Sequence, residues 1–263
     1  MATRICGLLL GVVGSFVFCS ASFAQYAGKI HNFSVAPEVS SYEYKEPSVM
    51  KYTGTMYGLS AEYLNHGGVG RIKNSIPIQF RARFTYMYGK LDYDGQLMSG
   101  VPYKFTGAKN YFIDTVLAGG MEFKLGGDFS VSPYLGFGYR YLEDKGDADP
   151  AAYKREQVYY YLPIGADWKK TLSPTWSLAF NTEVDVLLRG ENTTHLSDKM
   201  KFRQDSGYGL RFAAKVEKNL QSVGIFAEPF FRYWDIDKSN VKYGFLEPKN
   251  KTTEFGLRVG FSF

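Results

Sequence analysis

Few residues in this chain of 263 could do covalent chemistry. Histidine occurs three times, at His31, His66 and His195. His31 lies in a polar N-terminal stretch and His66 in a glycine-rich turn, and neither has a second histidine or an acid at metal-ligand spacing. His195, in the run Asn192-Thr193-Thr194-His195, and the acidic pair Asp92-Tyr93-Asp94 are the candidates for general acid–base work. Both read as loops. Cys6 and Cys19 fall in a leader expected to be removed, which excludes disulfides, thiolate nucleophiles and cysteine metal sites from the mature chain. The reading assigns no catalytic residue, no cofactor site and no metal site.

The other charged residues are more informative because of where they stand. Glu62, Arg81, Arg83, Asp114, Glu122, Arg140, Glu183, Asp185, Arg211, Glu228, Arg232, Glu254 and Arg258 each occupy one phase of an alternation whose other phase is apolar. Successive side chains of a strand point to opposite faces, so this rhythm gives one oily face and one charged face. Acids and bases are nearly balanced on the charged face, and unpaired charges in a low-dielectric interior are costly, so these residues are expected to form an ion-pair network.

About ten such segments follow one another, separated by turn formers. The clearest starts at Ile76, where Ile76, Ile78, Phe80, Ala82, Phe84, Tyr86 and Tyr88 interleave with Gln79, Arg81, Arg83 and Thr85. Gly126-Gly127-Asp128 and Ser173-Pro174-Thr175 read as hairpin turns. Connections near 126, 174 and 220 are short, and those near 100, 149, 197 and 244 are long. Two fit this asymmetry poorly: the turn at Pro47 is short for its side, and 65–75 is long for its side. Eight strands plus an N-terminal segment therefore stays open beside ten.

Arg4, an apolar run from Gly7 to Cys19 and the small-residue site before Gln25 read as a secretory signal peptide over 1–24, followed by one domain over 25–263. Removing the leader takes Arg4 from the 31 basic residues, leaving 30 against 26 acidic ones, too small and dispersed an excess for a nucleic-acid partner. No apolar run after residue 25 is long enough for a membrane helix. With 21 Tyr and 21 Phe, the pattern predicts an all-β, closed antiparallel up-and-down transmembrane β-barrel, since a bilayer admits only helices or closed barrels.

The last strand carries a resemblance. Phe255, Leu257, Val259, Phe261 and Phe263 share one face and end the chain on an aromatic residue, which resembles the terminal strand of small bacterial outer-membrane barrels, porin-like or opacity-like. In that family the terminal strand is the assembly signal, which implies the barrel assembly machinery, outer-membrane lipid and lipopolysaccharide as partners. The strand count also resembles the omptin surface proteases, which carry Asp-x-Asp on the second outer loop and Asp-x-His on the fourth. Asp92 and Asp94 match the first pair, but Thr193 stands where the acid partner of His195 belongs. His195-Leu196-Ser197 resembles the His-x-Ser spacing of outer-membrane lipid hydrolases. The expectation is a non-enzymatic outer-membrane protein with a side-chain-filled lumen and outer loops open to a surface ligand. A narrow conduit for ions or small polar solutes, an omptin-like protease and a lipid hydrolase are the alternatives.

Overall fold

A computed structural model of the chain describes residues 31–72, 76–97, 99–145, 149, 152–195, 199–242 and 244–263. The leader expected over 1–24 lies outside them. Twelve strands occupy the described residues: β1 (His31–Glu46), β2 (Met50–Ile72), β3 (Ile76–Gln96), β4 (Pro102–Met121), β5 (Phe123–Gly126), β6 (Phe129–Lys145), β7 (Lys154–Thr171), β8 (Trp176–His195), β9 (Lys199–Gln204), β10 (Gly207–Leu220), β11 (Val223–Ile236) and β12 (Asn250–Ser262). Two pairs of these are single staves with a gap. β4 and β5 keep one register along β6 (Gly120↔Tyr134, Phe123↔Val131), and the interruption falls opposite Pro133, which has no N–H to give. β9 and β10 likewise continue one register along β8 (Gly190↔Gln204, Tyr208↔Val186).

The result is a closed, ten-staved, up-and-down antiparallel barrel, sealed where β1 pairs with β12 (Val39↔Leu257, Ser40↔Gly256). Eight staves are ruled out because β1 is paired on both sides, to β12 and to β2. The long connection expected over 65–75 is mostly strand: β2 runs on to Ile72, with its register shifted between His66 and Arg71. Pro47 sits in a tight turn, closed by Val49 N–H to Glu46 O at 3.0 Å with Ser48 at φ 66°. The start of β1 and the end of β12, the termini of the described strands, meet at one end, where Phe263 and Phe33 exchange backbone hydrogen bonds.

Alternation sorts the two faces. Phe80, Leu117, Phe137, Phe180, Phe212, Leu257 and Phe261 are exposed on the outer wall, where a globular protein would seal them. Their strand neighbours Arg81, Ala118, Gly138, Arg211 and Glu254 face inward. Aromatic rings flank this apolar band. Phe129 stacks on Trp168 at the end carrying the termini, and Tyr86, Tyr111 and Tyr141 form a contiguous run towards the other end.

Candidate functional site

The lumen is the densest assembly of titratable groups. Arg211 stands at its centre: Nε lies 2.7 Å from Asp185 Oδ2 and 3.0 Å from Glu183 Oε1, and Nη2 donates to Asp114 Oδ2 at 2.7 Å and to Tyr161 Oη at 3.0 Å. Glu183 also receives Arg83 at 2.5 Å and the Tyr134 hydroxyl at 2.6 Å. Arg140 lies 3.6 Å from Asp114 and 3.7 Å from Glu254. Arg232 pairs with Glu38 and, at 3.1 Å, with Glu254, and Arg258 reaches Glu38 and Glu228 at 3.5 and 3.6 Å. Arg81 pairs with Asp167 and lies 3.6 Å from Glu62. Glu122, at the gap between β4 and β5, lines the cavity nearer the termini.

Aromatic rings lie between these ions, where the sequence suggested charged side chains alone. The Arg140 guanidinium sits 4.1 Å from the Phe112 ring centroid, Arg232 lies 4.3 Å from that of Phe230, and Arg81 lies 4.5 Å from that of Tyr134. Cation–π contacts of this kind are strongest where water is excluded. Each ring needs room, and glycine supplies it across the ladder: Gly138 faces Tyr161, Gly165 faces Tyr134, Gly209 faces Trp234 and Gly256 faces Phe230. A Cβ on any of these glycines would fall within 3.0 Å of the opposing ring. Together Phe112, Arg140, Tyr161 and Trp234, all almost wholly buried, fill the mid-lumen cross-section.

Below this plug, towards the termini, the lumen opens into a blind cavity of about 150 Å³ lined by Arg81, Arg83, Lys169, Lys215 and Glu228 among others. At the opposite mouth lies a second closure. Arg155 pairs with Glu46, lies 3.0 Å from Asp144 and reaches Glu247 at 3.7 Å. Glu247 belongs to the β11–β12 connection and points inward, receiving the Asn192 amide. Gln204 holds the same connection by donating to the Asp237 carbonyl at 2.9 Å. Burial, with Glu46 and Asp144 alongside, pushes the Glu247 carboxyl up to about 8 against the opposing pull of Arg155.

The candidates for covalent chemistry are elsewhere and apart. His195 ends β8 rather than occupying a loop, and its Nε2 lies 2.9 Å from Glu156 Oε2. Its carboxylate partner therefore comes from the neighbouring strand β7, which spacing within one segment could not reveal. Glu156 also pairs with Lys154 at 2.7 Å. Asp92 is exposed on β3, and Asp94 lies between Lys104 at 3.0 Å and Lys51 at 3.8 Å. Asp92 and Asp94 stand on β3 and His195 on β8, with β4, β6 and β7 between them along the wall, and the carboxylate that His195 meets is Glu156 of β7. Ser197 lies outside the described residues. His31 Nδ1 is 2.6 Å from the Tyr63 hydroxyl.

Two further placements differ from the sequence reading. Arg189, which strict alternation from Glu183 and Asp185 along β8 would put inside, faces outward because a bulge lets Tyr160 pair with Arg189 and Tyr161 with Leu187, putting Leu188 and Arg189 both on the outer wall. Glu38, an anchor for two arginines, was hidden in β1, whose inward set Ala36, Glu38, Ser40, Tyr42, Tyr44 and Glu46 mixes polar and aromatic residues.

No protein-family model matches the sequence, and no curated protein sequence matches it. Among solved structures the chain is similar to the outer membrane protease OmpT from Escherichia coli, with a TM-score of 0.52 at 8% identity over 90% of this chain and 97% of that one. A major outer membrane protein from Thermus thermophilus gives 0.41 at 13% identity, over 89% and 99% of the two chains. Neisserial surface protein A gives 0.34 at 11% identity, over 88% and 95%. At such identities the OmpT likeness shows a shared barrel fold.

Proposed function

We propose that this chain is an integral protein of a bacterial outer membrane whose barrel passes no solute and acts, without catalysis, through its outer wall and outer end. The observation that carries this reading is the sealed lumen inside an apolar wall. The Phe112–Arg140–Trp234 layer closes the middle, and the Arg155–Glu46–Glu247 cluster closes the mouth. The wall between the two aromatic rows is apolar and wide enough around the barrel to face lipid on every side. On the same reading the strand ending in Phe255, Leu257, Val259, Phe261 and Phe263 is what the barrel assembly machinery recognises, and the connections at the end opposite the termini face outward from the cell.

Planar-bilayer recording of the refolded protein tests the sealed lumen. The wild type is expected to give no discrete conductance steps, whereas Phe112→Ala and Trp234→Ala combined with Arg155→Ala give steps by opening both the mid-lumen layer and the mouth. Discrete steps from the wild type would establish a conduit instead. The pair His195–Glu156 supplies an oriented imidazole, so peptide and phospholipid cleavage should be assayed alongside. No turnover is expected, and turnover lost in His195→Ala would replace the non-enzymatic reading.

A further inference from the structure

The wall does not end level at the mouth. The β10–β11 ladder closes with the Asp237 amide donating to Ser206 O at 2.9 Å. Beyond that point the chain of β11 leaves the sheet, while β8 and β9 run on together from Gly190↔Gln204 to His195↔Lys199. Among the described strands β9 pairs with β8 alone, so its second edge lies open. That edge stands above the Tyr208–Tyr233 pair of the outer aromatic row, clear of the apolar band.

Two contacts show which backbone groups the open edge offers. The Gln204 carbonyl faces β8, since a Cβ on Gly190 would fall 3.0 Å from it. The Lys201 carbonyl faces away from β8 and accepts the Lys242 ammonium at 3.4 Å. The N–H and C=O of one strand residue point to the same side, and the side alternates along the strand. Met200, Phe202 and Gln204 therefore serve the β8 ladder, and Lys199, Lys201 and Arg203 present their backbone groups to the opening. The side chains alternate as well: Lys199, Lys201 and Arg203 are exposed on the outer face, and Met200, Phe202 and Gln204 turn away from it. Arg203 meets Asp205, whereas Lys199 and Lys201 make no ion pair among the described residues.

An open edge is a template for another strand, and its side chains select which strand fits. A second copy of β9 would set Lys199, Lys201 and Arg203 against like charges, which destabilises a cross-strand pair. A strand alternating acidic and apolar residues is complementary: its acids oppose the three cations, and its apolar residues lie beside Met200 and Phe202. The Lys242 ammonium holds the Lys201 carbonyl until an incoming N–H replaces it. We propose that the β9 edge binds an extended acidic segment of a partner protein as an added strand. This rests on the reading above that the end opposite the termini faces outward from the cell.

The test uses the full chain in phosphatidylcholine nanodiscs and a fluorescent peptide alternating glutamate with valine, its binding followed by anisotropy. The wild type is expected to bind this peptide and not its lysine–valine counterpart. Two further peptides carry N-methyl groups on alternate amides, one on the glutamates and the other on the valines, so charge is kept while only one set of amides faces β9. One of them is expected to lose about fivefold in affinity for each edge bond removed, and the other to bind as before. Lys201→Gln removes one edge charge and lowers affinity up to about fivefold. Lys201→Pro also removes the edge N–H, spares the bonds of Met200 and Phe202 to β8, and lowers affinity about fivefold more. Lys90→Gln, exposed on the wall of β3, leaves binding unchanged. Equal binding of the two methylated peptides reduces the contact to charge and overturns strand addition. A dimer in native mass spectrometry that Lys201→Pro abolishes makes a second copy the occupant and overturns the acidic partner. Absence of peptide binding by inserted protein overturns the proposal while the membrane reading stands, and failure of the wild type to insert overturns both.

Discussion

Gly165 on β7 lies directly across the ladder from Tyr134 on β6, and a Cβ at Gly165 would fall 2.5 Å from Tyr134 Cζ and 2.7 Å from the Thr182 carbonyl oxygen. The ring lies against bare backbone, which lets its hydroxyl reach Glu183 at 2.6 Å while Arg81 stacks on its face. Gly165→Val is therefore expected to destabilise the barrel by about 1–3 kcal/mol through overpacking, with a further loss as Tyr134 leaves Glu183. Gly119→Val, where nothing lies within 4 Å of the added Cβ, is the matched control. Urea unfolding in lipid vesicles measures both, and equal effects would mean that the glycine is not making room for the ring.

Asp114 is shared by two buried arginines, receiving Arg211 at 2.7 Å and lying 3.6 Å from Arg140, while its other oxygen takes the Tyr161 hydroxyl at 2.9 Å. Asp114→Asn keeps the shape and an acceptor for Tyr161 but leaves both guanidinium groups short of a counter-charge. Removing one partner of a buried ion network costs about 3–5 kcal/mol. The same change at exposed Asp92 should stay within about 0.5 kcal/mol. Comparable losses at the two positions would deny the lumen network a structural role.

The barrel was legible because its outer face obeys a single rule: from Ile76 to Tyr88 in β3 and from Phe255 to Phe261 in β12 every second side chain is apolar, whatever the inner face carries. The lumen was legible only in part. Charged inward residues announce themselves between apolar neighbours, as Arg81 and Arg83 do between Phe80, Ala82 and Phe84. Inward aromatics do not, because Tyr159, Tyr161 and Trp234 alternate with other aromatic or apolar residues, and either phase could face lipid. The missing signal was glycine: a strand position without a side chain, facing inward, marks where the opposite strand sends a ring, but which strand lies opposite is settled by register and not by composition. His195–Glu156 was invisible for the same reason, since the two residues are 39 positions apart and meet only across β7 and β8.

Leu257 lies mid-strand on β12, exposed on the outer wall between Phe255 and Val259. If that wall faces hydrocarbon, Leu257→Arg costs about 2–4 kcal/mol of folding stability in vesicles. Lys45→Arg, at an exposed position of β1, costs nothing measurable. Folding yield and unfolding midpoint, followed by the heat-modifiable shift in gel mobility, distinguish the two. A wall facing water would tolerate both substitutions alike.

The closure at the mouth should respond to pH with a definite sign. Glu247 is pushed up to about 8 in the closed arrangement, from 4.5 when exposed, by burial and by Glu46 and Asp144, with Arg155 opposing. Tyr44, Tyr153 and Tyr159 are the other titratable groups facing it. Between pH 4.5 and about 8 the closed connection holds more protons than the open one, so closure weakens as pH rises through this window and levels off above it. The slope cannot exceed about tenfold per pH unit for one group. Hydrogen exchange of the Glu247 amide, which donates to Ser239 Oγ at 2.8 Å, and of the Ser239 amide, which donates to Glu247 O at 2.9 Å, reads the closure directly. Protection, corrected for intrinsic exchange, is expected to fall from about pH 5 to about pH 8 in the wild type and to flatten in Glu247→Gln, which keeps the acceptor for Asn192 but cannot ionise. Protection that rises with pH, or falls equally in Glu247→Gln, would remove Glu247 as the group that sets the closure.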